Sequence, residues 1–247
     1  MYFESDGRVL LYYECDGDPR NPGLLLWNGA RCTLRQWDHV IPTINRFFYI
    51  IRCDVRGSGQ SKAPTNCDYT MQAYAKDAIN LLNHLGVSQC HVWSMAWGSR
   101  AAMAFCAFHF DRVISASLFD LSIGKADVRA QREGTKIARR KQADKGYNAP
   151  PLPEGWNSHL DENTLELSLA ASRRLDLSAL APKLTMPVLV ATGDHDPNLK
   201  SSKEAVRIMP NGKLVQLPNV GHGSILMQPD LCIEVFLDFM DQEHFDY

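Results

Sequence analysis

The amino-acid sequence predicts a single α/β domain in which a mostly parallel sheet is flanked by helices. Short apolar runs bounded by turn residues alternate with segments of helical periodicity, a pattern typical of strands joined by crossover helices. A length of 247 residues suits one large hydrophobic core. With 45% hydrophobic and 22% charged residues, the composition is that of an ordinary globular protein.

Seven apolar runs have the length and the flanking turn residues of strands. They are residues 9–15, 24–27, 47–53, 91–95, 113–119, 187–192 and 213–217. Four segments between or after these runs carry apolar residues at helical spacing. They are residues 69–85, 97–108, 201–209 and 231–239. The first of these helices has Asp68 as its expected cap and Gly86 as the glycine that ends it.

The alternation of strands and helices stops once, after the strand that ends at Asp120. Residues 121–174 are charged and contain three prolines, Pro150, Pro151 and Pro153. We therefore predict that residues 1–120 and 175–247 form the core and that residues 121–174 are a helical lid inserted into it.

Charge, hydropathy and cysteine content exclude several classes of partner. A formal net charge of −2 lacks the positive field needed to hold a phosphate backbone, so no nucleic acid is expected. No apolar run reaches the length of about 18 residues that a membrane span requires, so no membrane is expected either. The seven cysteines are odd in number and without CxxC spacing, which argues against zinc and a disulfide scaffold. The first residues do not resemble a signal peptide, and we expect a cytoplasmic protein with a small-molecule substrate; a homodimer is left open.

The centre of the chain carries a strand-to-helix turn of the kind that presents a catalytic nucleophile. The segment Ser94-Met95-Ala96-Trp97-Gly98 has small residues two before and two after its centre. Such flanks are needed because the strained backbone of this turn packs closely against its neighbours. The centre is Ala96, where this chemistry requires serine. Centring the turn on Ser94 instead would place Val92, a β-branched residue, at a crowded position.

This turn and several other motifs resemble the α/β-hydrolase superfamily, and the resemblance covers nearly the whole chain. Leu85-Gly86-Val87 and Asp111-Arg112-Val113 match the family's spacing when the nucleophile position is residue 96. Asn28-Gly29-Ala30, followed by Trp37, matches the family's His-Gly oxyanion loop with Asn in place of His. Residues 54–61 match its mainly structural Asp-x-Arg-Gly-x-Gly-x-Ser loop. The resemblance implies the α/β-hydrolase fold with a short helical lid.

The same resemblance supplies the other catalytic groups. Asp196, in the loop Gly193-Asp194-His195-Asp196-Pro197, takes the position of the triad acid, and His222, between two glycines, takes that of the base. Asp194 and Asp120 remain rival acids. The oxyanion donors would be the backbone N–H groups of Ala30 and Trp97.

Asn28, Met95 and Trp156 are the candidate substrate-binding residues. Met95 and Trp156 would line an apolar acyl pocket, although core packing is the ordinary role of such residues. Asn28 is equally well explained as a turn residue or as a donor to a bound carbonyl. Cys32, near the same loop, is a less favoured substitute nucleophile. The resemblance implies no cofactor and no metal.

The implied reaction is hydrolysis of a carboxylic ester or lactone by a Ser-His-Asp acyl-enzyme mechanism. Ala96 has neither a proton to give nor a lone pair with which to attack, so this covalent route is closed to the chain as written. Two explanations stay open: an engineered serine-to-alanine change, which the intact Asp196 and His222 favour, and a natural protein without a nucleophile. The alternatives are a C–C bond hydrolase of β-diketone type with the same triad and a catalytically silent ligand-binding receptor.

Overall fold

The computed structural model describes residues 1–243 and 245, and within them eight strands form one sheet. In chain order the strands are β1 (Tyr2–Glu4), β2 (Leu10–Asp16), β3 (Gly23–Trp27), β4 (Tyr49–Cys53), β5 (Cys90–Met95), β6 (Val113–Phe119), β7 (Val188–Gly193) and β8 (Gly212–Leu217). Their order in the sheet is β1-β2-β4-β3-β5-β6-β7-β8. Strand β2 pairs antiparallel with β1 and β4, and the other neighbours pair parallel. The predicted mostly parallel α/β sheet is confirmed.

Helices connect the strands and cover both faces of the sheet. They are α1 (Ile41–Ile44), α2 (Met71–His84), α3 (Trp97–Phe108), α4 (Val128–Asp144), α5 (Glu162–Ala170), α6 (Asn198–Ile208), α7 (Ser224–Met227) and α8 (Pro229–Gln242). The segment predicted as an insertion, residues 121–174, contains α4 and α5. Within the described residues, no helix combines the length and the apolar character that crossing a bilayer requires.

The core has two layers because successive residues of a buried strand point to opposite faces of the sheet. In β3, Leu25 packs in the layer that contains residues of α2, α3 and α6. Its neighbours Leu24 and Leu26 pack in the other layer, with residues of α1 and α8. The helices packed on both faces of the sheet hold in place the strand ends from which the site residues project.

Several helix ends differ from the sequence prediction for local reasons. Helix α2 is capped by Thr70, whose side chain accepts from the Ala73 N–H, and not by Asp68. Asp68 lies outside the helix, where its carboxylate accepts a hydrogen bond from the Thr70 hydroxyl. Helix α6 begins earlier than predicted, directly after Pro197, whose φ of −59° suits a helix start. Gly86 follows α2 with a φ of +70°, as a helix-ending glycine should.

Candidate active site

Ala96 occupies the turn between β5 and α3 in a backbone conformation that non-glycine residues rarely adopt. Its φ is 56° and its ψ is −112°, outside the main allowed regions for a residue with a Cβ atom. At Gly98, a Cβ would lie 2.4 Å from the Asn28 carbonyl oxygen and 2.5 Å from that of Trp27. Only glycine fits at residue 98.

Ser94, the rival centre of the turn, lies inside β5 and is fully buried. Its Oγ atom is 3.0 Å from Ser99 Oγ and 3.2 Å from the Ser117 carbonyl oxygen. These contacts give the hydroxyl a structural role within the sheet, and they do not present it to a substrate.

The residues that follow β5, β6, β7 and β8 share one edge of the sheet, because these four strands are parallel and adjacent. Ala96 follows β5 and its N–H donates to the Phe119 carbonyl oxygen at 2.8 Å. Asp120 follows β6 and its N–H donates to the Ala191 carbonyl oxygen at 2.8 Å. This edge also receives the loops that bear Asp196 and His222.

The side chains of His222 and Asp196 meet directly at this edge. His222 Nδ1 lies 2.8 Å from Asp196 Oδ2, and Asp196 Oδ1 accepts from the Asn198 N–H at 2.9 Å. The Asp196 side chain is fully buried, whereas that of His222 is 24% exposed. When Nδ1–H donates to a carboxylate, Nε2 is left as the proton acceptor, which is the tautomer that a general base needs.

The pKa of His222 lies above its ordinary value of 6.5. Burial lowers this pKa, but the hydrogen bond to Asp196 and the negative charges of Asp196 and Asp120 outweigh that effect. His222 therefore takes up a proton more readily than a free imidazole would, as suits a general base.

Neither rival acid contacts the imidazole of His222 by a hydrogen bond. Asp194 Oδ1 accepts from the Val220 N–H at 3.2 Å. Asp120 Oδ2 accepts from the N–H groups of Gly223 at 3.0 Å and Ser224 at 2.8 Å, the two residues after His222. Asp120 thus holds the backbone of the histidine loop.

The predicted oxyanion loop, Asn28-Gly29-Ala30, lies between β3 and α1. Asn28, which is buried, donates from Nδ2 to the Cys53 carbonyl oxygen at 2.9 Å and accepts from Trp37 Nε1 at 3.0 Å. Ala30, two residues further on, is exposed. Trp97 is the first residue of α3, so its N–H has no helical carbonyl to bond. Of the two explanations open for Asn28, its contacts support the structural one.

A shallow depression, called the pocket below, lies between α5 and the loop of residues 28–32, and its empty space of about 230 Å³ includes open solvent. Its walls combine loop residues, Trp97 and one face of α5. They are Asn28, Gly29, Arg31, Cys32, Val55, Ser58, Trp97, Leu165, Ser168 and Leu169. Ala96 and His222 are not among them; the pocket reaches the residue next to Ala96.

Only one of the three predicted substrate-binding residues lines this pocket. Asn28 does, whereas Met95 packs in the core layer of α1 and α8, and the half-buried Trp156 packs against the same layer. The sequence analysis missed Leu165, Ser168 and Leu169, although their i, i+3, i+4 spacing marks a single helix face. Cys32 lines the pocket, but burial raises the pKa of its thiol to about 12, so it holds no nucleophilic thiolate.

Helix α4 packs on the loops that carry Asp196 and His222. Thr135 Oγ1 donates to the His222 carbonyl oxygen at 3.2 Å, and Gln131 Nε2 donates to Asn198 Oδ1 at 3.2 Å. A Cβ on Gly134 would lie 1.8 Å from the His195 carbonyl oxygen. Residues of α4 therefore contact both loops.

Ion pairs connect helix α5 to Arg31, which follows the predicted oxyanion loop. Arg31 Nη1 lies 3.1 Å from Glu162 Oε2, and Arg31 Nη2 pairs with Glu166. His159, which precedes α5, has Nε2 3.1 Å from the Arg31 carbonyl oxygen and accepts from the Gly59 N–H at Nδ1. The wall of the pocket is thus connected to the loop that carries Ala30.

Comparison with known proteins agrees with this architecture. A family model described as alpha/beta hydrolase fold matches residues 22–119. Epoxide hydrolase 3 of Xenopus tropicalis is 31% identical over 44% of this chain, and the match spans only 30% of that protein. The 3-oxoadipate enol-lactonase 2 of Acinetobacter baylyi is 26% identical over 76% of this chain and 77% of that protein.

Among solved structures, the enol-lactonase from Burkholderia xenovorans superposes with a TM-score of 0.81 at 21% sequence identity. The superposition covers 98% of this chain and 100% of that enzyme. The sheet order, the strained turn at Ala96 and these matches lead to one assignment. The chain has the α/β-hydrolase fold.

Proposed function

We propose that this chain carries the active site of a carboxylic ester or lactone hydrolase whose nucleophile position is occupied by alanine. The observation that carries the proposal is the backbone of Ala96, with φ 56° and ψ −112° between β5 and α3. A strained conformation of this kind persists where function requires it, because it costs about 1–3 kcal/mol. An alanine side chain gains nothing from it, whereas a serine at the same place would be presented for attack.

The second support is the pair of His222 and Asp196, with Nδ1 and Oδ2 2.8 Å apart. With serine at residue 96, His222 Nε2 would take the hydroxyl proton while Oγ attacks the carbonyl carbon. The N–H groups of Ala30 and Trp97 would stabilise the negative charge on the carbonyl oxygen. His222 would then return the proton to the leaving alkoxide, and water would release the acyl group by the reverse steps.

The substrate class rests on the enol-lactonases among the similar proteins. The chain as written binds such a substrate without forming an acyl-enzyme. Any turnover in it would require His222 to act as base on a water molecule, and loss of the nucleophile in a related triad mechanism costs about 10⁶-fold in kcat.

The test is the Ala96→Ser variant, assayed with p-nitrophenyl esters, aliphatic and enol lactones, and β-diketones. We expect esterase or lactonase turnover to rise by about 10³-fold or more over the unmodified chain. The matched control is Ala96→Gly, which changes the same residue without adding a hydroxyl and should show no gain. Adding His222→Gln to Ala96→Ser should abolish the gain.

A folded Ala96→Ser protein without turnover would contradict the proposal. Turnover of β-diketones alone would favour the C–C hydrolase instead. The alternative of a ligand receptor is favoured by one observation, alanine itself at residue 96. It predicts that the unmodified gene encodes alanine there and that the chain binds an intact lactone that Ala96→Ser does not hydrolyse.

A further inference from the structure

Gln36 is a buried glutamine beside the predicted oxyanion loop, and packing alone does not explain its amide group. It lies in the short 3₁₀-helix Leu34–Trp37, and only 1% of its surface is exposed. Its Oε1 atom accepts a hydrogen bond from the Gly29 N–H at 2.8 Å. Its Nε2 atom is buried and has no hydrogen-bond partner among the described residues. A methionine would fill a similar volume without an unpaired donor, so the acceptor oxygen is the part of this side chain that the loop requires.

Gly29 is held at both of its backbone polar groups. Its N–H donates to Gln36, and its carbonyl oxygen accepts from the Cys32 N–H at 3.1 Å. A Cβ at Gly29 would lie 2.7 Å from Met95 Cε and 3.4 Å from Gln36 Oε1. Glycine therefore lets the loop approach both side chains closely, and the two hydrogen bonds leave its backbone little freedom to rotate.

These contacts determine the direction of the Ala30 N–H. In a planar trans peptide, the carbonyl oxygen and the N–H that follows it point to opposite sides. Because the Gly29 carbonyl oxygen is bonded to the Cys32 N–H, the Ala30 N–H points away from Cys32. Within the part of the chain that the structure describes, the Ala30 N–H makes no backbone hydrogen bond. It is therefore available to an oxygen atom of a bound molecule.

We propose that Gln36 is a positioning residue for the oxyanion hole. By accepting from the Gly29 N–H, its Oε1 atom holds the adjoining peptide so that the Ala30 N–H stays directed at the oxyanion. Trp37, the next residue of the same short helix, supports the loop through a hydrogen bond from Nε1 to Asn28 Oδ1 at 3.0 Å. This inference rests on the proposed hydrolase, because the oxyanion forms in that reaction. Gln36 acts through the loop and touches no reacting atom.

The first test uses the chain as it exists and does not require turnover. Butyrate is the probe, because a carboxylate oxygen can take the place of the oxyanion and accept from the N–H groups of Ala30 and Trp97. NMR follows these two amides during a butyrate titration, and hydrogen exchange follows the amide of Gly29. In Gln36→Met we expect the dissociation constant of butyrate to rise by about fivefold or more. Exchange at Gly29 should become faster by about tenfold or more.

Two results of this titration would overturn the proposal. One is an equal butyrate dissociation constant in Gln36→Met and in the unmodified chain. The other is a titration of the unmodified chain in which butyrate shifts neither the Ala30 nor the Trp97 amide.

Controls separate this effect from a general loss of stability. Asn80→Leu removes another tertiary hydrogen bond, which joins Asn80 Nδ2 in α2 to the Ser5 carbonyl oxygen at 2.9 Å. It should leave the butyrate dissociation constant and the exchange of Gly29 unchanged. Gln36→Glu keeps an acceptor oxygen at the same place, and burial favours its neutral form, so it should restore most of the protection of Gly29. If Gln36→Met does not fold, Gln36→Asn replaces it, because the shorter side chain withdraws the acceptor from the Gly29 N–H.

The second test uses the Ala96→Ser background. There, Gln36→Met should lower kcat by about 10–100-fold, less than the loss of about 10²–10³-fold that removal of a whole oxyanion donor causes. KM should change by less than about threefold, because the oxyanion forms in the transition state and not in the bound ester. Gln36→Glu should recover most of the lost kcat.

The two proposals fail in different ways. If Ala96→Ser shows no turnover, the proposed function fails, while the butyrate titration still decides whether Gln36 positions the Ala30 N–H. If Ala96→Ser is active and Gln36→Met leaves its kcat unchanged or alters only KM, the positioning role of Gln36 fails alone.

Discussion

The Thr135 hydroxyl of α4 lies 3.2 Å from the carbonyl oxygen of His222 and donates a hydrogen bond to it. Helix α4 thus contacts the backbone of the residue that we propose as the base. Gly221, next to His222, meets α4 at the same place, since a Cβ there would lie 2.5 Å from Thr135 Cα. Helix α4 and the histidine loop therefore pack backbone to backbone.

Gly134→Ala tests this close packing. Replacing glycine by alanine within a helix ordinarily stabilises it by about 1 kcal/mol. Here we expect a loss of about 1–3 kcal/mol in the free energy of unfolding, because the new Cβ overlaps the His195 carbonyl oxygen. Urea denaturation measures this change in the free energy of unfolding. Gly124→Ala is the matched control, since its Cβ would find its nearest atom, Ser201 Oγ, at 3.9 Å. A Gly134→Ala protein as stable as the control would show that α4 is free to move away.

Ala96→Gly should stabilise the protein. Glycine adopts a positive φ without the clash of a Cβ, so the strain of about 1–3 kcal/mol at residue 96 is relieved. The greater freedom of glycine in the unfolded chain offsets about 0.4–1 kcal/mol of this gain. We expect the free energy of unfolding, measured by chemical denaturation, to rise by roughly 1 kcal/mol. A decrease in stability would mean that the backbone at Ala96 carries no strain.

The stability of the protein should fall as the pH rises above about 6.5. The pKa of His222 is raised in the folded state from its ordinary 6.5, so between these two values the folded protein binds more protons than the unfolded chain. The contribution of His222 to stability is complete below pH 6.5. It is lost as the pH rises through the pKa that His222 has in the folded state. Asp120, whose pKa is raised from 3.8 to about 7, acts in the same direction at lower pH, because its contribution is lost as the pH rises between these two values. Urea titrations at pH 6, 7 and 8 measure this slope, and His222→Gln should make it shallower. An unchanged slope in that variant would assign the effect to other groups.

Arg31→Ala should loosen α5 without lowering the melting temperature appreciably. The pairs of Arg31 with Glu162 and Glu166 join exposed side chains, and such pairs contribute little to global stability. They do tie α5 to the oxyanion loop, so their loss should speed hydrogen exchange at the amides of α5. The matched control is Arg20→Ala, which breaks an exposed pair with Asp18, a residue that belongs neither to α5 nor to the loop of residues 28–30. Equal exchange in both variants would mean that Arg31 does not hold α5.

The sequence predicted the sheet and the strained turn well because both depend on local patterns. The run from Cys90 to Gly98 combines a buried strand, small flanks and the start of a helix, and each of these constrains the backbone directly. The strand β1 was missed because Tyr2–Glu4 is three residues long and only Phe3 is partly buried. The cap of α2 was misplaced because Asp68 and Thr70 are both good caps, and only the tertiary contacts distinguish them.

The pocket could not be predicted in the same way. One of its walls is α5, and the helix face that meets the core depends on how the segment of residues 121–174 packs. That packing is set by pairs distant in sequence, such as Arg31 with Glu162 and Thr135 with His222. For the same reason Met95, adjacent to the nucleophile position in sequence, points into the core and not toward the pocket.

The backbone at residue 96 adopts its strained shape with no hydroxyl present. Serine and alanine codons differ by a single nucleotide in one serine codon family, and neither side chain is large enough to disturb the turn. A lineage with this fold could therefore gain or lose hydrolysis in one mutational step, while the remainder of the molecule keeps folding and keeps recognising the same ligand.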